Sequence, residues 1–544
     1  MSPQTHEVTN QVPPRTGHDT AEDPALLEGL RREGAGWAED EVHELGRLAG
    51  TAHAQDLGRL AERHPPILRT HDRFGHRVDE VDYDPAYHEL MHTAVTHGLH
   101  GVPWADDRTG AHVARAAKFM VWNVDAGHGC PISMTYAVVP ALRANAALSA
   151  ELEPKLCNRV YEPEQRAPGG KRGLIAGMSM TEKQGGSDVR ANTTRALPTA
   201  DGSYSLTGHK WFTSAPMSDV FLTLAQAPDG LSCFLVPRVL PDGTRNAMAL
   251  MRLKDKLGNK SNASAEIEYD GAAGWLVGEE GRGVRTIVEM VNLTRLDCVL
   301  GASAGMRSAL GEAVHHSRHR KAFGVSLVDQ PLMQNVLADL TVESEAAMVL
   351  AMRLAGATDR SVRGDEAEAT FRRLALAVSK YHVCKRAPSV AGEALECLGG
   401  NGYIEESGLP RIYRELPLLS IWEGSGNVAA LDALRAMGRE PETVEVFLGE
   451  LALASGGDAR LDHAVDLLKK ELSNPEDLQH RARRVVEMMA QVLQGSLLVR
   501  HSSAAIAEAF CATRLGRDWG DAFGTLPAGT DTRAILERAP GTDT

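Results

Sequence analysis

One carboxylate in the C-terminal half of the chain has neighbours that suit it to removing a proton. Glu423 follows Ile421 and Trp422 and precedes a Gly-Ser-Gly turn at which another helix is predicted to begin. A carboxylate beside bulky apolar groups is partly desolvated, which raises its pKa toward neutrality and makes it a suitable general base. An isolated Glu near a helix start is more commonly solvated, so this interpretation depends on other parts of the chain.

Two segments in the middle of the chain have the residue types that hold a flat ring. Thr181 and the run Gly185-Gly186-Ser187-Asp188 predict a tight loop whose N–H groups and hydroxyls can bind a polar ring edge. In the later segment GHKWFTS, Trp211 and Phe212 could cover the ring while Ser214 bonds its edge. Each segment alone is also compatible with an ordinary connection or a strand with core aromatics.

Two short motifs suggest other chemistries, and their surroundings argue against both. HELMH, residues 88–92, matches the H-E-x-x-H zinc signature, but the positions expected for its extension hold Val95 and Gly98. GASAG, residues 301–305, matches G-x-S-x-G, but one continuous helical pattern runs through it, which favours close helix packing over a nucleophile elbow. A zinc enzyme and a hydrolase are therefore minor alternatives, and neither a Rossmann fingerprint nor a P-loop is present.

The periodicity of the 544 residues indicates the elements that must position these groups. It predicts a helical region over residues 1–172 with a loose polar arm at its start, and short β-prone segments over 173–283. Helical patterns return over 284–439 and again over 440–544. The sequence thus predicts a mainly α protein with a compact central β domain and a further C-terminal helical domain.

Composition excludes several functional classes. The formal net charge of −14 argues against a general polycation that coats nucleic acid or anionic membrane. The start of the chain lacks the pattern of a secretory signal, and no apolar run is long enough for a membrane span. The seven cysteines are scattered and odd in number, which is typical of a reducing compartment, so we expect a cytoplasmic protein.

Six motifs in a fixed order give the chain a family resemblance. They are T-E-x-x-x-G-S-D, G-x-K-W-F-x-S, E-G-x-G, R-x-x-F-G with a following Gln, L-G-G-N-G-Y and W-E-G-S-G-N. This order resembles that of the acyl-CoA dehydrogenases, a family of flavoproteins. N-terminal segments such as THDRFGHRVDEV and GLHGVPWADD, with the added C-terminal helices, resemble the AidB-like subfamily, which is linked to the adaptive response to DNA alkylation.

The resemblance implies a fold, a cofactor and an assembly. The fold is a helical domain, a β-barrel domain and a helical bundle, usually assembled as a homotetramer, with FAD between barrel and bundle and reaching a neighbouring subunit. The implied FAD contacts in the β domain are Met178, Met180, Thr181, Gly186, Ser187, Phe212, Thr213 and Ser214. Those in the bundle are Arg320, Phe323, Gln330, Gly399, Gly400, Trp422, Gly424 and Asn427.

The resemblance also implies a reaction, with departures that concern its substrate. Glu423 matches the catalytic base of α,β-dehydrogenation of an acyl-CoA thioester. Lys183 stands where many relatives have Pro, and Cys397 follows Glu396 where many have Gln. The AidB-like sequences share such changes, which implies a weak dehydrogenase of isovaleryl-CoA. The alternative is an ordinary short- or branched-chain acyl-CoA dehydrogenase of catabolism that binds no DNA.

A second implied partner is double-stranded DNA. Residues 440–544 hold 11 Lys and Arg against 17 Asp and Glu, but within 480–517 six Arg oppose two Glu. The predicted phosphate contacts are Arg481, Arg484, Arg500, Arg514 and Arg517. Such contacts would supply sequence-independent affinity that falls steeply with salt. A solvated helix face or a subunit contact is the equally weighted alternative.

Overall fold

The structure is a computed structural model that describes residues 5–540, and it divides the chain into two compact units. One unit contains residues 53–297, and the other contains the described residues up to 52 together with 298–540. The predicted boundaries at 172, 283 and 439 do not coincide with this division and stay predictions.

The strands are β1 Ile67–His71, β2 Arg77–Asp82, β3 Ala176–Ser179, β4 Arg195–Pro198, β5 Tyr204–Ser214, β6 Val220–Ala227, β7 Gly230–Pro237, β8 Met248–Leu253, β9 Ser264–Val277, β10 Lys321–Ala322 and β11 Val325–Ser326. The helices are α1 Pro24–Arg32, α2 Glu39–Ala49, α3 Ala52–Arg63, α4 Pro85–Thr96, α5 Ala111–Val121, α6 Gly129–Leu142, α7 Ala146–Leu156, α8 Gly283–His319, α9 Pro331–Val362, α10 Glu366–Cys397, α11 Leu409–Leu419, α12 Gly426–Arg439, α13 Glu442–Ala452, α14 Ala459–Leu472, α15 Leu478–His501, α16 Ala504–Phe510 and α17 Thr532–Leu536.

The β domain is a closed barrel. Strands β3 to β9 lie in the order β3-β6-β4-β5-β9-β7, with β8 beside β9, and a further pairing of β6 with β7 closes the sheet. Leu206, Phe221, Phe234, Leu250 and Ile267 fill its interior and are fully buried. Because the sheet closes on itself, few strands have an unpaired edge. The strands therefore give the loops between them a rigid support. The predicted fold class, mainly α with a central β-barrel, is confirmed.

The helices of the other unit surround one buried helix. Residues 337–359 of α9 are buried on every side, and this run includes the charged residues Asp339, Glu343 and Arg353, which form ion pairs inside the bundle. Asp365 caps the start of helix α10, where its side chain accepts from the Glu368 N–H, and acidic residues occupy the first turn. The C-terminal helices α15 and α17 pack against α9, so the extra segment is part of the bundle's own core.

From residue 5 onward the N-terminal arm is held on the bundle, which corrects the prediction of a loose segment there, while residues 1–4 lie outside the described residues. Asn10 exchanges side-chain hydrogen bonds with the backbone of Lys321 in β10, and His315 contacts the Pro13 carbonyl at 2.8 Å. Arg15 lies 3.5 Å from Glu312 of α8. Composition alone indicated disorder because these partners lie about three hundred residues away in the chain.

Candidate active site

The two ring-binding segments of the β domain are joined by backbone and side-chain contacts. The Trp211 N–H of β5 donates to the Thr181 carbonyl at 2.8 Å, which places the loop after β3 beside the GHKWFTS strand. A Cβ at Gly186 would lie 2.5 Å from Thr181 Oγ1, so the loop can turn this tightly only with glycine there. The structure therefore brings both predicted segments to one edge of the barrel.

A buried ion pair that the sequence analysis missed ties these segments together. Glu182 of the first motif and Lys210 of the second are both 0% exposed, and their side chains lie 2.8 Å apart. Lys210 also donates to the Leu224 carbonyl, and Glu182 accepts from the N–H groups of Thr193 and Thr194. The presence of Glu in one motif and Lys in the next was the available signal.

Burial and charge act in opposite directions on this pair. Burial alone would raise the pKa of Glu182, but the Lys210 ammonium and the donors of Gln184 and Thr193 hold it well below its usual range. Burial lowers the pKa of Lys210 to about 8, against the opposing effect of Glu182. Both groups are charged at neutral pH, and their attraction fixes the loop to the strand.

The remaining predicted contacts of the β domain differ in accessibility. Phe212 is exposed and Ser187 lies on the open side of the loop, while Met178, Met180 and Ser214 are half-buried. Thr213 is fully buried, and its hydroxyl lies 2.5 Å from the Ser179 hydroxyl. The structure thus corrects the prediction for Thr213, because a residue enclosed in the barrel has no surface to offer a cofactor.

In the other unit, Glu423 occupies a turn between α11 and α12. It adopts a left-handed conformation with φ 57°, and Gly424 follows with φ 103°. Left-handed backbone is rare for a residue with a Cβ and recurs at functional sites. Asn427, in the first turn of α12, accepts a hydrogen bond from Arg483 of α15 at 2.8 Å, so the extra C-terminal segment contacts the stretch that follows the predicted base.

The GASAG motif supports this turn by close helix packing. Residues 301–305 lie within the continuous helix α8. A Cβ at Gly305 would lie 2.5 Å from Leu416, and one at Gly301 would lie 3.6 Å from Leu419. Both leucines belong to α11, which leads to Glu423. The packing interpretation is confirmed, and the nucleophile elbow lacks the strand that it needs.

The residues predicted to contact the adenine and pyrophosphate differ in how accessible they are. Arg320 is half-buried and donates to the Asn10 carbonyl of the N-terminal arm, and Gln330 donates to the Ala322 carbonyl at 3.2 Å. Gly399 and Gly400 are exposed, and a Cβ at either position would meet no atom of the chain. Open glycine backbone of this kind allows another group to approach closely.

The donor set of each unit fits a flavin nucleotide. The barrel edge offers the Thr181 and Ser187 hydroxyls and an exposed Phe212 ring, which suit the polar edge and the flat face of an isoalloxazine. The bundle offers Arg320, whose guanidinium matches phosphate oxygens, and the open glycines of the L-G-G-N-G-Y motif. The groups suited to a ring belong to the unit of residues 53–297 and those suited to phosphate belong to the other unit, and their contacts with FAD stay a prediction.

The five arginines predicted to contact DNA have different environments. Arg514 is buried, and its guanidinium lies 2.6 Å from Asp339 and 3.0 Å from Glu343. Arg500 is mostly buried and lies 2.6 Å from Glu450. A buried, paired guanidinium has no surface for a phosphate, so the structure excludes Arg514 and leaves Arg500 little to contribute.

The other three arginines lie nearer the surface. Arg481 pairs with Glu471 and donates to the carbonyls of Asn474 and Glu476. Arg484 has a side chain 64% exposed and lies 3.4 Å from Glu471, and Arg517 is exposed. Acidic neighbours therefore offset much of the local positive charge that the sequence indicated.

Arg514 has a structural role that can be measured. Replacing Arg514 by Leu is expected to lower the free energy of unfolding by about 1.5–3 kcal/mol, because Asp339 and Glu343 lose a charged donor. Asp339 keeps Trp519 as a donor, and Glu343 keeps Arg386, which limits the loss. Urea denaturation measures the change, with Arg484→Leu as an exposed control. Equal stability of the two variants would contradict this role.

HELMH also has a structural role. His88 lies 2.9 Å from the Tyr161 hydroxyl, and Glu89 lies 2.6 Å from His53. Within residues 5–540 no group of three or more His, Cys, Asp or Glu side chains is placed to hold a metal ion. The zinc alternative therefore finds no ligand set in the part of the chain that the structure describes.

Comparison with known proteins decides the family. The AidB N-terminal domain model matches residues 10–163, and the middle and C-terminal acyl-CoA dehydrogenase domain models match 177–272 and 281–438. AidB of Escherichia coli strain K12 is 46% identical over 517 residues, which are 94% of this chain and 95% of that protein. The chain belongs to the acyl-CoA dehydrogenase family, in its AidB-like branch. It is an FAD-dependent oxidoreductase of the acyl-CoA dehydrogenase type.

Solved structures and a second relative agree with this membership. Acyl-CoA dehydrogenase family member 11 of Caenorhabditis elegans is 32% identical over 83% of this chain and 78% of its own length. A crystal structure of Caenorhabditis elegans ACDH-11 with C11-CoA aligns with TM-score 0.84 and 29% identity over 94% of this chain and 93% of that one. The apo form of Bd2924 aligns with TM-score 0.82 and 28% identity, covering 92% and 99% of the two chains. Among residues 5–540, no helix has the length and apolar character that a membrane span requires.

Proposed function

We propose that this chain oxidises a short branched acyl-CoA thioester and that Glu423 is the base. The observation that carries the proposal is the left-handed, half-buried Glu423 in the W-E-G-S-G-N turn. Partial removal from water raises the proton affinity of a carboxylate, which suits it to take the weakly acidic α-proton of a thioester. When bound, FAD supplies the acceptor for the hydride that leaves the β-carbon.

Four further residues would bind FAD and orient its ring. The Thr181 and Ser187 hydroxyls would hold the polar edge of the ring, and Phe212 would cover a face, while Arg320 would meet phosphate. Lys183, where many relatives have Pro, donates its N–H to His209 Nε2 at 3.0 Å. A proline lacks that N–H, so Lys183 supplies this loop with a hydrogen bond that proline could not make.

Anaerobic reduction of the flavin tests the proposed activity. Isovaleryl-CoA is expected to bleach the visible absorbance of the FAD-bound protein in the absence of oxygen. A C11 acyl-CoA serves as the comparison, because the structure of the nematode relative contains C11-CoA. Faster bleaching by the C11 thioester would overturn the short branched substrate while keeping the reaction. Absence of bleaching with either thioester would overturn the reaction.

We infer DNA binding as a second function, on a narrower surface than the sequence indicated. The support is the exposure of Arg484 and Arg517, together with the match of residues 10–163 to the N-terminal domain of a protein described as an adaptive response protein. Contacts from a few arginines to phosphates would give sequence-independent, salt-sensitive affinity. A role in the response to DNA alkylation rests on this binding and is part of the same proposal.

A salt series measures the DNA contribution of the two arginines. The double variant Arg484→Ala and Arg517→Ala is expected to weaken duplex binding and to flatten the dependence of log affinity on log salt, by about 1 for each phosphate that an arginine no longer neutralises. Arg63→Ala, which removes an exposed arginine from the other unit, is the matched control and should keep the wild-type slope. Wild-type protein that fails to shift duplex DNA at low salt would refute this function and favour the catabolic dehydrogenase.

We also propose that the protein forms a homotetramer and is cytoplasmic. Phe323, Leu332 and Tyr403 of the bundle are large apolar side chains with at least four-fifths of their surface exposed. These side chains are candidate contacts of the homotetramer that the family resemblance implies. A cytoplasmic location is supported by the seven cysteines, all of which are free thiols.

A further inference from the structure

A lysine in the middle of α10 is bonded to the backbone on both sides of Glu423. Lys380 is 1% exposed and lies within a run of buried residues, 374–384. Its ammonium donates to the Trp422 carbonyl at 2.8 Å and also to the Gly424 carbonyl. One cation therefore holds the backbone carbonyls of the two residues on either side of Glu423, the proposed base.

The turn around Glu423 has an unfavourable backbone conformation that such a contact can stabilise. The Trp422 N–H still bonds to the Leu418 carbonyl, so the helical path of α11 continues to that point and then reverses at a left-handed residue. Helices commonly end at a left-handed position of this kind, but the residue there is usually glycine, because a Cβ makes the conformation unfavourable. An ammonium at the carboxyl end of a helix is also favoured by the helix dipole.

The two carbonyls that bind the ammonium are separated by a reversal of the chain in which Glu423 and Gly424 both have positive φ. By holding the carbonyls on either side of Glu423, the Lys380 contacts stabilise its left-handed conformation, which its Cβ disfavours. The direction of the Cα–Cβ bond follows from that choice of φ, and the position of the carboxylate follows from the Cα–Cβ bond. A base must lie within hydrogen-bond reach of the proton that it removes, so this position matters for turnover.

We propose that Lys380 is a positioning residue for the Glu423 carboxylate. The inference rests on the proposed role of Glu423 as the base. The Lys380 ammonium bonds to backbone carbonyls and acts through the conformation of the turn. Burial of a lysine here is explained by this contact, because a buried ammonium is costly unless hydrogen bonds replace its water.

Kinetics of the FAD-bound protein test the positioning role. Lys380→Met keeps the length and apolar stem of the side chain and removes the three donors. With isovaleryl-CoA, kcat is expected to fall roughly 100-fold, the loss typical of a small misplacement of a catalytic group. KM is expected to stay at the wild-type level, and kcat is expressed per bound flavin because Trp422, Gly424 and Asn427 are implied FAD contacts. Ser379→Ala is the matched control, because it removes a buried hydrogen bond within α10, to the Ala375 carbonyl, at the adjacent position.

Hydrogen exchange supplies a readout that does not depend on turnover. The amides of residues 421–427 are expected to exchange faster in Lys380→Met than in wild type, with unchanged exchange along α10, and Ser379→Ala should leave the turn protected. If Lys380→Met does not fold, Lys380→Gln, which keeps a neutral donor, replaces it in both measurements.

The outcomes separate this inference from the proposed function. Wild-type kcat and wild-type exchange of the turn in Lys380→Met would overturn the inference, and so would a parallel loss of flavin content, affinity and kcat, which indicates a general structural role. If wild-type protein oxidises no acyl-CoA, the proposed function fails, and the exchange of residues 421–427 still decides whether Lys380 holds the turn.

Discussion

The Glu423→Gln variant is expected to retain FAD and to lose oxidation of acyl-CoA thioesters. Gln has nearly the same shape as Glu, so the turn between α11 and α12 and its contacts stay in place. An amide does not accept a proton near neutral pH, and loss of a general base typically costs 10²–10⁴-fold in rate, so we expect a fall of roughly that size in kcat.

The measurement is anaerobic bleaching of the flavin by isovaleryl-CoA, followed in a stopped-flow spectrometer. The visible spectrum of each preparation gives the FAD content, so loss of cofactor is separated from loss of chemistry. Glu406→Gln, which neutralises an exposed carboxylate in the same unit, is the control and should bleach at the wild-type rate. Undiminished turnover in Glu423→Gln would remove Glu423 from the mechanism and require another base.

The Lys210→Met variant is expected to lose about 3–5 kcal/mol of the free energy of unfolding, the usual cost of removing one partner of a buried ion pair. Met fills the space of the lysine stem, so the effect comes from the Glu182 carboxylate that stays inside the barrel without its cation. The loop after β3 should loosen as well, because Glu182 ties it to the barrel, and FAD retention should fall.

The pH dependence of stability distinguishes this charge effect from a packing defect. The pKa of Glu182 is lower in the folded protein than in the unfolded chain. Ionised Glu182 therefore stabilises the wild-type fold at pH values above the unfolded pKa. This stabilisation is lost as the pH falls through the folded pKa. In Lys210→Met the buried carboxylate is favoured in its neutral form, so the stability difference from wild type should narrow as the pH falls.

Urea denaturation at a series of pH values from neutral to acidic measures the free energy of unfolding of both proteins. Lys183→Met, which replaces an exposed lysine of the same loop, is the control and should stay close to wild type at every pH. A difference between Lys210→Met and wild type that does not change with pH would contradict the electrostatic explanation and indicate lost packing.

The periodicity of apolar residues predicted the helices and strands well. The short β-prone segments between 173 and 283 became a barrel, and the helical period through GASAG became the continuous α8. Period-two and period-3.6 patterns report the face that each element buries, so they persist in the folded chain. Loop motifs were also recognisable, because a turn such as Gly185-Gly186 needs particular residue types in a short stretch.

The predictions failed where partners distant in the chain decide the outcome. The N-terminal arm appeared loose until the structure placed Asn10 beside Lys321. The arginines of the C-terminal segment appeared to form a basic surface, but Arg514 is enclosed with Asp339 and Glu343 of α9. A count of charges includes every arginine, whereas a phosphate can contact only those at the surface.

The sequence by itself determined the family, the barrel flanked by helices, the flavin cofactor and the residue proposed as base, because motif order and periodicity are written along the chain. Tertiary structure alone decided which charges are free and which are used internally, and it placed Lys210 against the loop after β3 and Lys380 against the turn at Glu423. The physical reason is that burial and ion pairing depend on distances between residues far apart in sequence, and no local pattern contains those distances.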